Sequence, residues 1–191
     1  MQEDYKIIEG FENYSVSNFG NVRNNKTLKL LKQFNTKGYR IVGLSNQSKQ
    51  HSRRVHILVS NAFLPNPQNK PITDHIDNNR ANNNVSNLRW ASHSENSYNR
   101  CISNQNTTGF KGIVLGFNGE TEVWRAQIHV NKELYFIGDF KTKLEAVRAR
   151  VQKSIEVQGE FINKCELLAL KQLELDQELE DLENEFELLI K

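Results

Sequence analysis

Residues 72–96 read ITDHIDNNRANNNVSNLRWASHSEN, and they carry the clearest local signals of secondary structure in the chain. The runs ITDHID and NLRWAS have the short, partly apolar pattern that predicts a strand, and the Asn-rich residues between them predict a loop. Ser92 and Glu95 have the spacing of a capping box, so a helix is expected after the second strand. The predicted order is strand, loop, strand, helix.

A further helix is expected upstream of the two strands. Ser52 is its candidate N-cap, and Pro65 ends it. One face of this helix is apolar, because the positions i, i+3, i+4, i+7 and i+8 are occupied by Val55, Leu58, Val59, Ala62 and Phe63.

Residues 1–50 have the pattern of a β-rich module. Strand-like runs such as YSVSN and YRIVGLS are separated by turn residues at Phe19-Gly20-Asn21 and at Gly38. A module of this size is too small for a core of its own.

Residues 104–163 have the pattern of a three-stranded antiparallel sheet with one helix. Asn118-Gly119 predicts a hairpin turn, and Asn131-Lys132 a second turn before the strand ELYFIGDF. Apolar and polar residues alternate in the middle strand, EVWRAQIHV, so one face can pack and the other is left for a partner. Thr142 and Glu145 form a capping box for a helix whose apolar stripe is Leu144, Val147, Val151 and Ile155.

Residues 164–191 carry a short, Glu-rich heptad pattern. Its seven-residue spacing is set by Leu168, Leu175, Leu182 and Leu189, with Gln172, Leu179 and Phe186 four residues after the first three. The pattern fits a dimerising coiled coil, a helix folded back on the protein's own surface, or a solvated tail.

Charge is segregated along the 191 residues, although the formal net charge is only +2. Residues 166–191 carry nine Asp or Glu against two Lys, whereas residues 13–73 contain ten Lys or Arg and no acidic residue. Such a basic stretch suits a polyanion, because each cation placed on a phosphate releases counterions. The alternative is a solvated basic surface without a partner.

No apolar run approaches the roughly 20 residues of a membrane-spanning helix. The start, MQEDYK, lacks the basic and apolar regions of a signal peptide. A soluble, intracellular protein with no membrane partner is therefore expected. Cys101 and Cys165 belong to no CxxC motif and are expected to be free thiols.

Residues 56–97, HILVSNAFLPNPQNKPITDHIDNNRANNNVSNLRWASHSENS, resemble the HNH endonucleases, in the phage-type variant whose final His is replaced by Asn. The resemblance implies a ββα-metal (His-Me finger) fold that cleaves DNA phosphodiester bonds. It also implies that the Asn87 side chain binds one imidazole nitrogen of His75 and fixes the tautomer.

The residue types suit this chemistry. Asp74 and Asn96 offer hard oxygens for Mg²⁺ or Mn²⁺, and His75 can take a proton from water near neutral pH. Only two protein ligands leave positions open for phosphate and water. Each residue also has a structural reading: Asp74 as a turn cap, His75 as a half-buried strand residue, and Asn87 and Asn96 as members of an Asn-rich sequence.

Two further resemblances flank this segment. The run IIEGFENYSVSNFGNVR is similar to a small modular motif found in front of nucleases of phage and mobile introns, with Tyr5 where that family usually has Trp. The alternative is a β-rich cap. The pieces TGFKGIV, WRAQIHVNKELYFIGDFKTKLEAVRA and QGEF resemble the ethylene-response-factor (AP two) DNA-binding domain. The alternative there is a sheet-helix domain for protein contacts.

The second of these resemblances implies that the exposed sheet face lies in the DNA major groove. Val114 and Leu134 replace arginines that commonly contact bases, so fewer arginine–guanine contacts remain. The candidate DNA-binding residues are Lys111, Arg125, Gln127, His129, Lys132 near the backbone, Phe136 in place of the family's usual Trp, and Arg53 and Arg54 in the basic stretch.

The predicted fold class is α+β and multidomain. Its parts are a β-rich module at 1–50, a ββα-metal HNH core at 51–103, a three-stranded sheet with a helix at 104–163, and a C-terminal helix at 164–191. The predicted function is a site-specific DNA endonuclease of the homing or mobile-element type that binds double-stranded DNA and nicks one strand, or cuts both strands as a homodimer. The alternative is a sequence-specific DNA-binding regulator with an inactive nuclease core.

Overall fold

The computed structural model describes the backbone of residues 2–189 and the side chains of residues 2–182. It is an α+β protein with several small antiparallel sheets, which confirms the predicted fold class. The chain divides into two compact units, residues 1–96 and residues 97–191. No helix among the described residues has the length and apolar character needed to cross a membrane.

The first unit contains three antiparallel sheets, with the strand orders β1-β2-β3, β4-β5-β6 and β7-β8. Its elements are β1 (Tyr5–Ile8), β2 (Phe11–Ser17), β3 (Val22–Asn24), β4 (Phe34–Thr36), β5 (Tyr39–Asn46), β6 (Lys49–Arg54), α1 (Val55–Phe63), β7 (Ile72–His75), β8 (Leu88–Ala91) and the start of α2 (His93–Tyr98).

One apolar cluster serves the whole first unit. It combines residues of the N-terminal strands, of α1 and of β8, namely Ile8, Phe11, Val16, Val22, Val42, Leu44, Val55, Leu58, Val59 and Leu88. The N-terminal module thus shares its core with the segment that follows it. The predicted boundary at 50–51 falls inside β6, and the four-part division of the chain stays a prediction.

The helix α1 begins later than the sequence pattern indicated, and the N-cap assignment to Ser52 was wrong. Ser52 lies in β6 and pairs with Gly43, and the β5–β6 pairing continues to Arg54 opposite Ile41. Because this pairing holds the backbone extended, the helix can start only at Val55, with Arg54 as N-cap and no side-chain capping bond.

The strand-loop-strand-helix order is confirmed. Strands β7 and β8 pair so that Asp74 lies opposite Arg89 and His75 opposite Leu88. The predicted capping box at the start of α2 is present, because Ser92 Oγ accepts from the backbone N–H of Glu95 (3.2 Å) and Glu95 Oε2 accepts from that of Ser92 (2.7 Å).

The second unit contains a three-stranded antiparallel sheet of order β11-β10-β9 and two helices. Its elements are β9 (Ile113–Asn118), β10 (Thr121–Val130), β11 (Glu133–Phe140), α3 (Lys143–Gln158) and α4 (Lys164–Leu189). The sheet and α3 bury Ile113, Ala126, Ala146, Val147 and Val151. The capping box of Thr142 and Glu145 is confirmed, whereas Ile155, at the far end of the predicted stripe, is exposed.

Helix α4 packs through one face and exposes its heptad leucines. Leu170 and Leu173 pack against the core of this unit. The heptad leucines whose side chains are described are exposed, namely Leu168, Leu175, Leu179 and Leu182. Phe186 and Leu189, which complete the predicted pattern, lie outside the residues whose side chains the structure describes.

We expect Gly112→Ala to destabilise the second unit. Gly112 has a φ of +63°, and a Cβ there would collide with the carbonyl oxygen of Gln127, whose N–H donates to Gly112 O (2.8 Å). The matched control is Gly119→Ala, with a φ of +62° but nothing within 4 Å of its added Cβ. Backbone strain alone costs about 1–3 kcal/mol. Chemical denaturation should therefore show a larger loss for Gly112→Ala, and equal losses would contradict the collision.

Candidate active site

His75 ends β7 in a buried position and packs among aromatic rings. Its ring centre lies 4.9 Å from that of His56 and 6.2 Å from that of Tyr39. Its Nε2 lies 3.3 Å from Oδ1 of Asn83, a residue of the loop between β7 and β8. The predicted base is therefore enclosed by α1, β5 and this loop.

Burial lowers the pKa of His75, because the charged imidazolium loses water. The contact with Asn83 and the charges of Asp77 and Asp74 raise the pKa, while Arg80 lowers it, and burial prevails. A lowered pKa keeps the imidazole neutral near pH 7. A neutral imidazole is the form that can accept a proton.

His56 packs against His75 from α1. Burial, with smaller contributions from the charges of His75 and Arg54, lowers its pKa from the usual 6.5 to about 3. Among residues 2–189, no hydrogen-bond partner reaches its buried Nδ1. His56 is a neutral ring packed between Tyr39 and His75.

Asp74 is buried beside His75 and forms an ion pair across the β7–β8 hairpin. Arg89 Nε and Nη2 lie 3.0 Å and 2.9 Å from Asp74 Oδ2. The side chains of Asp74 and Arg89 are only 7% and 11% exposed. Arg89 was missed in the sequence, although its place directly opposite Asp74 follows from the strand register.

The expected contact of Asn87 with the imidazole was wrong for its side chain. Asn87 Oδ1 accepts from the backbone N–H of Asp77 (3.1 Å), and its Nδ2 donates to Asp77 Oδ1 (2.8 Å) and to Asn82 O (2.9 Å). The helical turn Val85–Asn87 directs this amide at the loop. Asn87 therefore fixes the loop, and Asn83 contacts the imidazole.

Asn96 lies on α2, half-buried, and its backbone N–H donates to Ser92 O (3.0 Å). Within residues 2–189 its side-chain amide has no hydrogen-bond partner. That part of the chain contains no group of three or more His, Cys, Asp or Glu that could hold a metal ion. The predicted ligands Asp74 and Asn96 lie outside such a group, because one of them is an amide. Their carboxylate and amide oxygens are both hard donors.

Two of the candidate DNA-binding cations in the second unit are already paired. Lys111 Nζ lies 2.7 Å from Oε1 of the buried Glu166 and donates to Tyr98 O (2.9 Å). Arg125 donates two hydrogen bonds to the Asp139 carboxylate, of 2.9 Å and 3.0 Å, across the β10–β11 pair.

The remaining candidates of this unit lie on β10, β11 and the turn between them. Gln127 is opposite Phe136 and His129 is opposite Leu134. Phe136 is exposed, with the Arg125 guanidinium 5.7 Å from its ring centre. Lys132 is exposed in the turn. The structure therefore places Arg125, Gln127, His129 and Phe136 on one face of the sheet.

Arg53 and Arg54 end β6 with exposed side chains that contact different rings. The guanidinium of Arg53 lies 5.2 Å from the ring centre of Phe11, and that of Arg54 lies 4.8 Å from the ring centre of Tyr39. Of these two arginines, Arg54 is the one that contacts Tyr39, the ring that neighbours His75.

Comparisons with known proteins cover the first unit. A NUMOD4 motif matches residues 3–45, and the HNH endonuclease family matches residues 53–98. Protein 3.8 of Escherichia phage T7 is 34% identical over 90 residues, which are 46% of this chain and 70% of that protein. The chain belongs to the HNH endonucleases.

Two further relatives of this HNH endonuclease are matched over smaller shares of their own length. The uncharacterized HNH endonuclease L245 of Acanthamoeba polyphaga mimivirus is 40% identical over 104 residues, 54% of this chain and 31% of that protein. The DNA endonuclease I-HmuI of Bacillus phage SP01 is 39% identical over 89 residues, 46% of this chain and 51% of that protein. The chain thus spans no more than about half the length of either.

A solved structure of the HNH homing endonuclease I-HmuI, which concerns its DNA binding and cleavage, aligns with a TM-score of 0.46. The aligned part is 37% identical and covers 49% of this chain and 55% of that one. Neither family match extends beyond residue 98. The AP two type of residues 104–163 and the variant with a final Asn stay predictions.

We expect acid to destabilise the first unit through His56. An unfolded histidine binds a proton near its usual pKa of 6.5, whereas folded His56 does so only near 3. Stability should therefore fall as the pH falls through this window, by up to about 1.4 kcal/mol per pH unit for each such group.

Replacing His56 by Asn should flatten the pH dependence of the unfolding free energy between pH 6.5 and 4, measured by urea denaturation. The control is His93→Asn, because His93 is exposed. Equal slopes for the parent and His56→Asn would show that His56 is not held neutral.

Proposed function

We propose that this chain is a metal-dependent endonuclease that hydrolyses phosphodiester bonds of double-stranded DNA at chosen sites, as a homing-type enzyme that nicks one strand. The observation that carries this proposal is the buried, neutral His75 next to Asp74 at the end of β7. Membership of the HNH endonucleases supports it, and so do the viral and phage sources of the relatives. Such a substrate implies action inside a cell.

Asp74 and Asn96 are the proposed ligands of a divalent cation, Mg²⁺ or Mn²⁺. Their carboxylate and amide oxygens are hard donors, which suit these ions. When bound, the cation would offset the negative charge that develops on the phosphate and the leaving oxygen. Arg89 holds one oxygen of Asp74 and orients the carboxylate.

His75 is the proposed general base. The amide oxygen of Asn83 can only accept a hydrogen bond, so its contact with His75 Nε2 supports a tautomer with the proton on Nε2 and the basic lone pair on Nδ1. Asn83 thereby takes the tautomer-fixing role that the sequence resemblance gave to Asn87. Asn87 supports the base indirectly, by fixing the loop that presents Asn83.

The sheet face of the second unit is the proposed reader of the DNA sequence, as the AP two resemblance implies. Arg125, Gln127, His129 and Phe136 share this face, and Asp139 holds the guanidinium of Arg125 in one orientation. An oriented guanidinium suits a directional contact with a base. Lys111 is engaged by Glu166 and supports the fold of this unit instead.

A homodimer through α4 is the proposed route to a double-strand break. The exposure of Leu168, Leu175 and Leu182 on one helix supports it, because these leucines recur every seven residues. Sedimentation that shows a monomer at micromolar concentration would exclude it.

The rival function is a DNA-binding regulator with an inactive core. A nicking assay of the parent and of one variant, Asp74→Asn, distinguishes it from the nuclease. We expect Asp74→Asn to lower the rate of plasmid nicking in Mg²⁺ by on the order of 10²-fold or more, as removal of a charge-stabilising group does. Asn is preferable to Ala because it fills the same space beside the buried Arg89.

DNA binding at matched salt should stay near that of the parent, whereas the melting temperature should fall because the buried Arg89 loses its ion pair, so nicking is compared at a temperature where both proteins are folded. Glu9→Gln is the control for the loss of one carboxylate, because Glu9 is exposed and lies outside the site. Parent-like nicking by Asp74→Asn would remove Asp74 from the chemistry, and a parent chain that nicks no DNA with either metal would favour the regulator.

We expect Arg125→Ala to weaken binding to a cleaved site by about 1–3 kcal/mol relative to a random duplex of equal length. The single variant also leaves the Asp139 carboxylate facing DNA. The double variant Arg125→Ala/Asp139→Ala removes both charges. If it also prefers the cleaved site over random duplex less than the parent does, the loss is due to the missing contact with a base. An unchanged ratio of affinities in both variants would show that this face does not read the site.

A further inference from the structure

Two arginines from distant parts of the first unit meet at the ring of Tyr39. Arg54 comes from the end of β6, and Arg80 comes from the loop between β7 and β8. The guanidinium of each lies 4.8 Å from the centre of this ring. The two cations are therefore separated by no more than twice that distance.

The fold holds Arg80 in this place. Its Nη1 donates to Lys37 O (3.3 Å) in the turn between β4 and β5. Gly38 of the same turn, with a φ of +87°, lies against the Arg80 stem, and a Cβ added there would be in ordinary contact with Arg80 Cδ at 3.4 Å. The side chain is fixed by the turn on one side and by the ring on the other.

The pair lies beside the proposed base. The Tyr39 ring is 6.2 Å from the ring of His75 and 5.1 Å from that of His56. The charge of Arg80 lowers the pKa of His75, and that of Arg54 lowers the pKa of His56. Arg80 is thus within electrostatic reach of His75, and Arg54 is within reach of His56.

Neither the Arg54 nor the Arg80 guanidinium is neutralised by a carboxylate among the residues whose side chains the structure describes. By contrast, Arg89 and Arg125 each hold a carboxylate. An oriented guanidinium without a carboxylate keeps its forked N–H groups for another anion, and a phosphate matches that fork.

We propose that Arg54 and Arg80, positioned by Tyr39, form a phosphate clamp that holds the phosphodiester to be cleaved in front of His75. The inference rests on the proposed nuclease function and deepens it, because it names the groups that bind the reacting phosphate. The two guanidinium groups place the phosphate and stabilise the charge that grows on it during hydrolysis. Tyr39 is a positioning residue, since it acts through the two arginines.

The test is single-turnover cleavage of plasmid DNA with the protein in excess. It measures two quantities separately: the cleavage rate at saturating protein, and the protein concentration that gives half of that rate. We expect Arg54→Ala and Arg80→Ala each to lower the saturated rate by on the order of 10²-fold. Both side chains are exposed, so their loss leaves the apolar core of the unit untouched.

The matched control is Arg40→Ala. Arg40 is exposed and follows Tyr39 in β5, so it points to the opposite face of the strand. The variant Arg40→Ala removes one positive charge from the same sheet, as Arg54→Ala does. Its saturated rate should stay within about 3-fold of the parent's, because only long-range attraction to DNA is lost. Melting temperatures of all variants establish that they are folded.

Two readouts distinguish the clamp from a merely structural role. Guanidinium ion at millimolar concentration should restore part of the rate of Arg80→Ala and none of that of Asp74→Asn. Arg80→Lys should recover part of the rate, because it returns the charge without the fork.

The clamp is overturned if Arg54→Ala and Arg80→Ala cleave as fast at saturation as Arg40→Ala does. In that case the parent still cuts DNA and Asp74→Asn does not, so the nuclease function stands without the clamp. If the parent cuts no DNA with Mg²⁺ or Mn²⁺, the nuclease function fails first and the clamp falls with it.

Discussion

A carboxylate as buried as that of Asp74 is stable only where a cation meets it, and Arg89 supplies this cation across the β7–β8 pair. Because the two residues face each other, any shift of one strand along the other would leave both charges unpaired in the interior. The ion pair therefore fixes the register of the hairpin. That register places His75 at the end of β7, where α1 and Tyr39 enclose it.

The order of elements around this hairpin was predictable because it is written in local patterns. The capping boxes at Ser92 and Thr142 and the turn at Asn118-Gly119 depend on neighbouring residues alone. Roles that depend on side-chain direction were not predictable. Asn83 and Asn87 are the same residue type four positions apart, and only the helical turn that ends at Asn87 decides which amide reaches the imidazole.

The pairing of charges was the other feature that sequence could not supply. Lys111 and Arg125 look like free cations in a basic chain, but the fold brings Glu166 and Asp139 to them from 55 and 14 residues away. The net charge of a segment counts all of its charged residues, including those whose charge is paired within the fold and does not bind a ligand. The informative cations are those that no described carboxylate pairs with, and near His75 these are Arg54 and Arg80.

The direct passage of β6 into α1 has a consequence for recombination. Arg54 still pairs with Ile41 of β5, and the helix begins at the next residue, so no linker separates the N-terminal sheets from the nuclease helix. The shared core ties them further. A chimera joined at residue 50 would cut through a strand and halve a core. An exchange of cassettes between related enzymes has to carry residues 1–96 as one piece, even though two family motifs are recognised within it.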